Sequence, residues 1–426
     1  MVTAFPRWPG DVITPWMVEL VRRSRERGLD AEVLAPAYRG GGSREVEGIP
    51  VRRFRYAPAA WETLTHDETV PDRVGRSPAY AALVPPYLAG GVLAGWRAGG
   101  EAPDVVHVHW PMPHALFGAA ARAASGGRTA LVCSFYSVEL TWVSRRLRPL
   151  VPFLRWSART ADGVTAISRS TAAMVRELAH VEPRVIPFAA AAGSGGEAGP
   201  RVRPDGERPP LSGGPDEPLR ILFVGRLVER KGVEHLVRAL PLVRRERAAE
   251  LTVVGEGEWE PVIREAAREA GVEGQVRLTG YVDRSSLEGL YREADLFVLP
   301  AVVDRKGGTE GLGVVLLEAM RAGRPVIASR VGGIPDIVEH GRSGWLVPPA
   351  EPGALAAAIL GAARDPGAAR AVAEEGRRRA VEEFSWDGIL DDLESVYGAA
   401  VAARRGGGDD RDTRRSERDM TEETRA

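Results

Sequence analysis

Short, largely apolar runs alternate with longer stretches of helical spacing along most of this chain. A first series of strands is predicted at 2–5, 31–35, 51–54, 104–109, 130–135 and 164–167. A second series is predicted at 219–224, 251–254, 276–279, 296–299, 326–328 and 345–347. Helical spacing fills the intervals; from 15 to 27, for example, Trp16, Leu20 and Val21 share one face. Strands that alternate with helices predict parallel sheets covered on both faces, and hence an α/β fold.

The alternation stops once, and this break divides the chain. Residues 189–218 are rich in Gly, Pro and Ala and show no apolar period, which is typical of a linker. We therefore predict an N-terminal domain over 1–188 and a C-terminal domain over 219–383. A last helix is predicted at about 384–402. Residues 403–426 are dominated by Arg, Asp, Glu, Thr and Gly, which predicts a disordered polar tail.

Composition supports two globular domains and excludes several classes of protein. The 426 residues exceed what one core normally organises, and 44% are hydrophobic against 27% charged. A formal net charge of -1 gives no electrostatic argument for binding nucleic acid. The single cysteine, Cys133, excludes an internal disulfide, and no metal site is expected.

Two features bear on membranes and location. Residues 77–96 carry no formal charge, but six prolines and glycines interrupt them, so a buried helix in a soluble domain is preferred to a membrane span. Residues 1–10 contain no apolar run typical of a signal peptide. We expect a cytoplasmic protein.

The residues best suited to chemistry follow predicted strands of the second series. Lysine occurs only at Lys231 and Lys306, so a retained lysine hints that a compact ammonium is needed. Arg226 and Lys231 follow the strand 219–224 after the turn at Gly225. Two fixed cations at a strand's carboxyl end are suited to a diphosphate, although a solvated basic loop is the alternative.

A second junction combines glycines with carboxylates. The loop after 296–299 contains four glycines and Glu310, and a helix is predicted from about Gly313. A Gly-rich helix N-terminus offers free N–H groups to an anion. Glu310 and Glu318 are suited to accepting hydrogen bonds from hydroxyl groups, although Glu318 alone is compatible with an ordinary helix surface. Weaker signals stand at three other junctions: Gly255 and Gly257; Gly280 and Tyr281; Gly332 and Gly333.

This combination, with "GGIPDIVEHGRSGWLV", resembles the family 4 glycosyltransferases over most of 219–386. The N-terminal half is similar more loosely, through "FPRWPGD" and "DVVHVHW". The resemblance implies the GT-B fold, in which two Rossmann-like parallel-sheet domains face each other across a cleft. It implies a retaining enzyme that moves a sugar from a nucleoside diphosphate sugar of UDP, GDP or ADP type to a hydroxyl acceptor. That donor is a co-substrate, and no permanently bound cofactor is expected. The last helix would pack back on the N-terminal domain.

The resemblance also implies roles for particular residues. Arg226 and Lys231 match the pair that holds the donor diphosphate, Glu310 the carboxylate on the donor sugar, and Glu318 the carboxylate on the ribose. The remaining donor-binding positions expected on these grounds are Gly225, Gly255, Gly257, Tyr281, Gly311, Leu312 and Gly313. On the N-terminal side the cleft candidates are Gly10, His109, Tyr136 and Glu139.

Two departures from the family pattern concern catalysis and the acceptor. Where many relatives carry "HGxE" or "HGxD", this chain has "CSFYSVEL", which places Tyr136 at the position of the histidine and Glu139 at that of the acid. The usual "IPNGVD" is replaced by "VIPFAAAAG". An inactive donor-binding partner is therefore one alternative, and a GT-B phosphorylase or a nucleotide-sugar epimerase is another.

The remaining partner question concerns a membrane. Five arginines alternate with apolar residues between 145 and 159, a pattern compatible with peripheral contact with the inner face of a membrane. A helix packed on its own domain is the preferred interpretation. Neither a nucleic acid nor an obligate protein partner is expected, and the acceptor is not identified.

Overall fold

A computed structural model describes residues 1–8, 11, 13–66, 70–189, 209–214 and 217–423; for 71, 72 and 407–423 it describes the backbone alone. Contacts divide the chain into two units. The first comprises Met1–Ala166, Ala172–Ile186 and Leu390–Ala426, and the second comprises Ile167–Thr171 and Pro187–Ile389. Most of the predicted linker, and the cleft candidate Gly10, lie outside the described residues.

The first unit contains two sheets. Its strands are β1 (Val33–Pro36), β2 (Glu45–Val46), β3 (Ile49–Phe54), β4 (Val105–His109), β5 (Ala130–Phe135), β6 (Gly163–Ala166) and β7 (Arg184–Val185). One sheet has the order β1-β3-β2 and the other β4-β5-β6-β7, the latter parallel throughout. The antiparallel β2–β3 pair was not predicted, because its strands are separated by only a tight turn at Glu47 and Gly48.

The helices of the first half of the chain connect and cover these strands. They are α1 (Pro15–Glu26), α2 (Val70–Arg76), α3 (Val84–Gly99), α4 (Pro111–Ala124), α5 (Val138–Arg146), α6 (Val151–Thr160) and α7 (Arg169–Ala179). Short 3-10 turns lie at Ala59–Trp61, Pro78–Leu83 and Arg148–Leu150. The core between β4–β6 and these helices includes Val108, Leu131, Phe135, Leu140 and Leu154, all fully buried.

The predicted first strand, 2–5, is not formed. Its backbone lies between the two sheets, where the Val2 amide donates to the Leu34 carbonyl (3.1 Å) and the His109 amide donates to the Met1 carbonyl (3.0 Å). These isolated bonds do not continue as a ladder, which explains why the residues are irregular.

The uncharged stretch 77–96 is also only partly as predicted. It forms the 3-10 turn Pro78–Leu83 and most of α3, but α3 is not wholly buried. Tyr87, Gly91, Gly95 and Gly99 face the core, whereas Leu93 and Trp96 are 50% and 53% exposed. Among the described residues, no helix combines the length and hydropathy needed to cross a membrane.

The second unit is built on one six-stranded parallel sheet. Its strands are β8 (Leu219–Val224), β9 (Ala249–Val254), β10 (Val276–Gly280), β11 (Leu296–Leu299), β12 (Val326–Ser329) and β13 (Trp345–Val347). The order is β10-β9-β8-β11-β12-β13, so the chain reverses its direction of winding between β8 and β11. Apolar residues on both faces make the central strands nearly fully buried, as expected for a sheet with helices on each side. The predicted α/β fold class is confirmed.

Helices follow nearly every strand of this sheet. They are α8 (Val233–Arg244), α9 (Glu260–Glu269), α10 (Arg284–Glu293), α11 (Val314–Arg321), α12 (Ile334–Ile337), α13 (Pro352–Arg364) and α14 (Pro366–Glu382), with 3-10 turns at Glu229–Lys231 and Glu273–Gln275. Helix α11 packs on α14, and α13 packs on α8.

The last helix, α15, extends from Trp386 to Glu423 rather than ending near 402, so the backbone predicted to be a disordered tail is helical through Glu423. Arg, the most frequent residue there, is a good helix former. In the first unit, Val396, Tyr397 and Val401 of α15 pack with Ala130 and Val132 of β5. The Tyr397 hydroxyl also hydrogen-bonds His107 Nδ1 at 2.7 Å.

Candidate functional site

The topology of the second unit predicts a ligand site at the carboxyl ends of β8 and β11. These strands are neighbours, and the loops that leave them diverge because the order reverses there. In open α/β sheets, such a switch point forms the crevice where ligands bind. Lys231 lies on the loop after β8, and Glu310 lies on the loop after β11.

These two residues form an ion pair across the switch point. Lys231 Nζ donates to Glu310 Oε2 at 2.5 Å, and the side chains are only 13% and 14% exposed. Burial by itself would raise the pKa of the Glu310 carboxyl, but the charge and hydrogen bond of Lys231 outweigh burial and hold it below its ordinary value. Glu310 is therefore ionised near neutral pH, and the pair is a fixed dipole at the sheet edge.

Glycines bring the backbone of three strand ends together beside this pair. The Gly225 amide donates to the Val254 carbonyl (3.0 Å), and the Gly255 amide donates to the Gly280 carbonyl (2.9 Å). Gly255 has φ 127°, and a Cβ there would lie 2.0 Å from the Gly225 carbonyl oxygen. A Cβ at Gly257 would lie 2.2 Å from the Leu227 carbonyl oxygen. These close approaches explain the Gly-x-Gly spacing without any appeal to a ligand.

The Lys231 amine itself borders this glycine edge. A Cβ built on Gly225, whose φ is 152°, would lie 3.7 Å from Lys231 Nζ. Gly232, which follows the lysine, approaches β11, because a Cβ there would lie 2.1 Å from the Pro300 carbonyl oxygen. The loop after β8 is thus anchored against the end of β11, and this places Lys231 next to Glu310.

The loop that carries Glu310 is fixed by a second pair of glycines. Gly333 donates its amide to the Glu310 carbonyl (3.0 Å), and a Cβ at Gly332 or Gly333 would lie 2.0 or 2.1 Å from the carbonyl oxygens of Glu310 and Gly311. Leu312 is 2% exposed and anchors the loop in the core. Gly313, with φ 92°, then opens α11. The Leu316 amide donates to the Gly313 carbonyl (2.8 Å), so the N–H groups ahead of it at the start of the helix are the ones suited to an anion.

Glu318 lies on α11 in a buried environment. The Tyr291 hydroxyl on α10 donates to Glu318 Oε2 at 2.8 Å, and Tyr291 is 4% exposed. Burial raises the pKa of the Glu318 carboxyl despite this hydrogen bond. Sequence reasoning missed Tyr291, because one tyrosine among the apolar residues of a helix gives no signal of its own.

The other two donor-side candidates are exposed. Arg226 directly follows Gly225 and is exposed. Tyr281 follows Gly280, is 67% exposed, and donates its backbone N–H to Glu256 Oε1 at 3.2 Å. An accessible cation and an accessible aromatic ring therefore lie at the ends of β8 and β10.

The candidates of the first unit form a separate cluster at the ends of β4 and β5. His109 Nδ1 and the Tyr136 hydroxyl are 2.5 Å apart, and both side chains are buried. Trp16 and Trp110 pack on Tyr136, with ring centroids 5.7 and 4.8 Å away. Burial, aided by the nearby His107, lowers the pKa of His109 well below its ordinary value, so the ring is neutral at pH 7. Trp16 and Trp110 were not predicted as part of this cluster.

Glu139 is packed beneath Tyr136. Its Oε1 accepts the Tyr136 backbone N–H at 2.8 Å, while its Oε2 is buried with no hydrogen-bond partner among the described residues. Burial raises the pKa of Glu139 to about 7, against a partial lowering by backbone hydrogen bonds. A carboxyl that is buried in this way is close to half-protonated at neutral pH.

The Glu139 environment makes folding stability depend on pH. An acid whose folded-state pKa lies above its unfolded value favours folding while protonated, so stability is greatest below about pH 4.5 for this group and falls as pH rises toward 7. The expected loss is on the order of 3 kcal/mol. Buried His109 has the opposite effect, since its lowered pKa makes stability rise with pH, so the measure is the difference in unfolding free energy between the wild type and Glu139→Gln. This difference should fall between pH 5 and 8, whereas the difference between the wild type and Glu273→Gln, on an exposed turn, should stay constant. A constant difference for Glu139→Gln would contradict the assignment.

The second part of the basic stretch, 151–159, packs within its own unit, whereas Arg145, Arg146 and Arg148 are exposed. Val151, Phe153 and Trp156 pack against the core of β4–β6, and Arg155 and Arg159 donate to the carbonyls of Leu178 and Ala179, both at 2.8 Å. The two arginines cap the end of α7. For α6, this arrangement agrees with the interpretation of a helix packed on its own domain.

The opposite edge of the second unit's sheet holds a cavity of about 510 Å³. It lies at the starts of β8, β9 and β10, where its lining includes Arg220, Glu250 and Arg277. Open sheets of this kind bind their ligands at the carboxyl edge instead, so the cavity is not part of the candidate site. Within the described ranges, His, Cys, Asp and Glu side chains do not gather in groups of three or more suited to a metal ion.

Comparison with known proteins identifies the family. Residues 218–365 match the family model described as "Glycosyl transferases group 1", and residues 13–189 match that of the "Glycosyl transferase 4-like domain". Glycogen synthase of Mycobacterium tuberculosis is 31% identical over 330 residues, which is 73% of this chain and 70% of that protein. The chain belongs to the family 4 glycosyltransferases.

Two other curated relatives match less than half of the chain. An uncharacterised glycosyltransferase of Methanocaldococcus jannaschii is 34% identical over 44% of this chain and 46% of its own length. A GDP-mannose-dependent alpha-(1-6)-phosphatidylinositol monomannoside mannosyltransferase of Mycobacterium tuberculosis is 36% identical over 43% of this chain and 48% of its own length. The chain thus spans about half the length of these two relatives.

Solved structures confirm the predicted GT-B fold. Sucrose-phosphate synthase of Thermosynechococcus elongatus has a TM-score of 0.70 at 21% identity, covering 94% of this chain and 96% of that one. Anabaena HepE in complex with UDP and glucose has a TM-score of 0.65 at 19% identity, covering 92% of this chain and 100% of that one.

Proposed function

We propose that this protein transfers a sugar from a nucleoside diphosphate sugar to a hydroxyl acceptor with retention of the anomeric configuration. The observation that carries the proposal is the Lys231–Glu310 ion pair at the switch point between β8 and β11. A cation and a carboxylate held side by side suit a ligand that carries a diphosphate next to a ring of hydroxyl groups.

The cationic part of the site would hold the diphosphate. As the glycosidic bond breaks, negative charge grows on the departing nucleoside diphosphate, and Lys231 is a preorganised partner for that charge. Arg226 would add a planar guanidinium from the end of β8. The backbone of Gly311 to Gly313 at the start of α11 would contribute N–H donors, and Gly225 leaves room beside the lysine amine.

The carboxylates and the aromatic ring would hold the rest of the donor. Glu310 is ionised and would accept hydrogen bonds from sugar hydroxyls, and Glu318, held by Tyr291, would accept those of the ribose. Tyr281 is exposed at the neighbouring strand end and would stack on the base. Gly255 and Gly257 would act indirectly, because their close packing on the backbone of Gly225 and Leu227 holds together the strand ends that border the donor.

The proposal covers the class of donor, a nucleoside diphosphate sugar, and no particular base or sugar. One relative is named as GDP-mannose-dependent, and one structural neighbour of the same fold was solved with UDP and glucose. Both names support a nucleoside diphosphate sugar as the donor. UDP, GDP and ADP conjugates are the forms to compare.

Retention would follow from attack on the same face of the sugar that the diphosphate leaves. The donor's own phosphate oxygen would accept the acceptor's proton, so that the oxygen–carbon bond to the acceptor forms as the phosphate–sugar bond breaks. Glu310 forms an ion pair with Lys231. It would therefore orient the sugar rather than attack the anomeric carbon as a nucleophile.

Proton NMR of slow donor hydrolysis tests this stereochemistry without a known acceptor. Each nucleotide sugar is incubated with the enzyme, and the free sugar is observed before mutarotation. We expect one donor to be hydrolysed with its anomeric configuration retained. Release of the inverted anomer would contradict the retaining mechanism, and epimerised donor would indicate a different reaction.

The raised pKa of Glu318 predicts pH-dependent donor binding. The ionised carboxylate is the form that accepts hydrogen bonds, so affinity should fall as pH decreases through this raised pKa. Glu318→Gln should bind the nucleotide roughly ten-fold more weakly at pH 8 and lose the acidic limb. Glu293→Gln, an exposed change on α10, serves as the matched control. Equal pH profiles for the wild type and Glu318→Gln, measured by calorimetry, would remove Glu318 from the site.

A further inference from the structure

Tyr291 engages one oxygen of Glu318 and leaves the other accessible. The Tyr291 hydroxyl donates to Glu318 Oε2 at 2.8 Å. The second oxygen, Oε1, accepts no hydrogen bond from the part of the chain that the structure describes, and it keeps some contact with solvent. A carboxylate oxygen with free lone pairs is suited to a ligand that donates hydroxyl protons. The two oxygens of Glu318 therefore have different surroundings and different uses.

The position of the Tyr291 hydroxyl is fixed by the core of the second unit. The tyrosine is 4% exposed, and its ring packs on Phe297 of β11 with the ring centroids 5.8 Å apart. Burial, aided by the charge of Glu318, raises the pKa of Tyr291 well above its ordinary value, so the hydroxyl keeps its proton and donates it. Because α10 carries the tyrosine and α11 the glutamate, this hydrogen bond joins two helices and restricts the rotamers of Glu318.

The hydroxyl also affects the charge of Glu318. Burial has the largest influence on this carboxyl and raises its pKa. The Tyr291 hydrogen bond lowers the pKa, and so do the positive charges of Arg284 on α10 and Lys231 on the loop after β8. Of these three groups, Tyr291 is the one that is hydrogen-bonded to the carboxyl. Loss of its hydroxyl would therefore raise the pKa of Glu318 further and leave the side chain without its anchor.

We propose that Tyr291 is a positioning residue for recognition of the donor's ribose. Its hydroxyl holds Glu318 by Oε2, and Oε1 is thereby presented to the ribose hydroxyl groups. An acceptor that is already oriented loses little conformational freedom when the ligand binds, which strengthens binding. This inference rests on the proposed function, because it requires a nucleoside diphosphate at the site. It adds that a buried side chain behind Glu318 decides how strongly the ribose hydroxyls are recognised.

Nucleotides with and without the ribose hydroxyls test the proposal. UDP, GDP and ADP are titrated into the full chain by calorimetry, beside their 2′,3′-dideoxy forms. Wild type should prefer the ribonucleotide, and Tyr291→Phe should reduce this preference roughly three- to ten-fold. In a Glu318→Gln background the same change should reduce it little further, because both residues act through one carboxyl group. In Tyr291→Phe the loss of affinity on acidification should also begin at a higher pH, since the ionised carboxylate has lost a donor.

Tyr87→Phe is the matched control. Tyr87 is 3% exposed, and its hydroxyl lies 2.8 Å from His114 Nε2 in the first unit, so this change also removes a buried, hydrogen-bonded hydroxyl. It should leave the ribonucleotide preference and its pH dependence unchanged. A purely structural role for Tyr291 would weaken both forms of the nucleotide alike and leave the pH dependence as in wild type, and this result would overturn the inference but not the proposed function. If folded wild type binds no nucleotide, both are wrong.

Discussion

Replacing Lys231 by alanine should lower the turnover of donor by roughly a hundred- to a thousand-fold, the usual cost of losing one preorganised partner for a developing charge. The change removes the cation that faces the departing diphosphate. It also leaves Glu310 buried without its partner, so the pKa of that carboxyl should rise and its orientation should be lost. Release of nucleoside diphosphate, followed enzymatically, measures the effect.

The chain offers a closely matched control for this change. Lys306 is the second lysine of the sequence and lies exposed on the loop that leads to Glu310. Lys306→Ala should retain activity within about two-fold, as is usual for a surface position. Lys231→Arg should recover little, because a planar guanidinium does not replace a compact ammonium in a buried pair. Equal activity of wild type and Lys231→Ala would contradict the assigned role.

The second large effect is expected from Gly255→Ala. The new Cβ would lie 2.0 Å from the Gly225 carbonyl oxygen, and the φ of 127° is one that alanine rarely adopts. Neither atom belongs to a flexible side chain, so the ends of β8 and β9 must separate. We expect a loss of roughly 2–5 kcal/mol in stability together with weakened nucleotide binding, since Lys231 borders Gly225.

Two other glycines separate the causes of this effect. Gly271 has φ 64° but open space around its Cβ position, so Gly271→Ala should cost about 1 kcal/mol from backbone strain alone. Gly274 has neither constraint, and Gly274→Ala should leave stability nearly unchanged. The denaturant midpoints of the three variants give the comparison. If Gly255→Ala and Gly271→Ala have the same denaturant midpoint, the close approach of the ends of β8 and β9 does not contribute to stability.

Much of the second unit was predictable because local pattern and tertiary structure agree there. Buried parallel strands appear in the sequence as apolar runs. The turn after β8 and the start of α11 are marked by Gly225 and Gly313, whose positive φ angles favour glycine. Spacing along the chain does not reveal that Lys231 and Glu310 are in contact. Their proximity depends on the crossover order of the sheet, which places the loops after β8 and β11 side by side.

The first unit was harder to predict for identifiable reasons. The strand expected at 2–5 forms only isolated bonds with its neighbours, and the pairing of β2 with β3 depends on a tight turn. Helix α3 was expected to be buried because it is uncharged, yet half of its surface faces outward. Apolar composition alone does not reveal which face of a helix the core covers. The hydrogen bond between His109 and Tyr136 likewise depends on neighbouring strands and has no sequence signal.

Calorimetric titration of the wild-type protein with UDP, GDP and ADP, beside the matching nucleoside monophosphates, tests the central claim most directly. The claim is that the second unit holds a diphosphate at Lys231. It predicts that one nucleoside diphosphate binds, and that its monophosphate binds at least about ten-fold more weakly for want of the charge-assisted contact. If folded protein binds no nucleotide, or binds monophosphate and diphosphate equally, the claim is wrong.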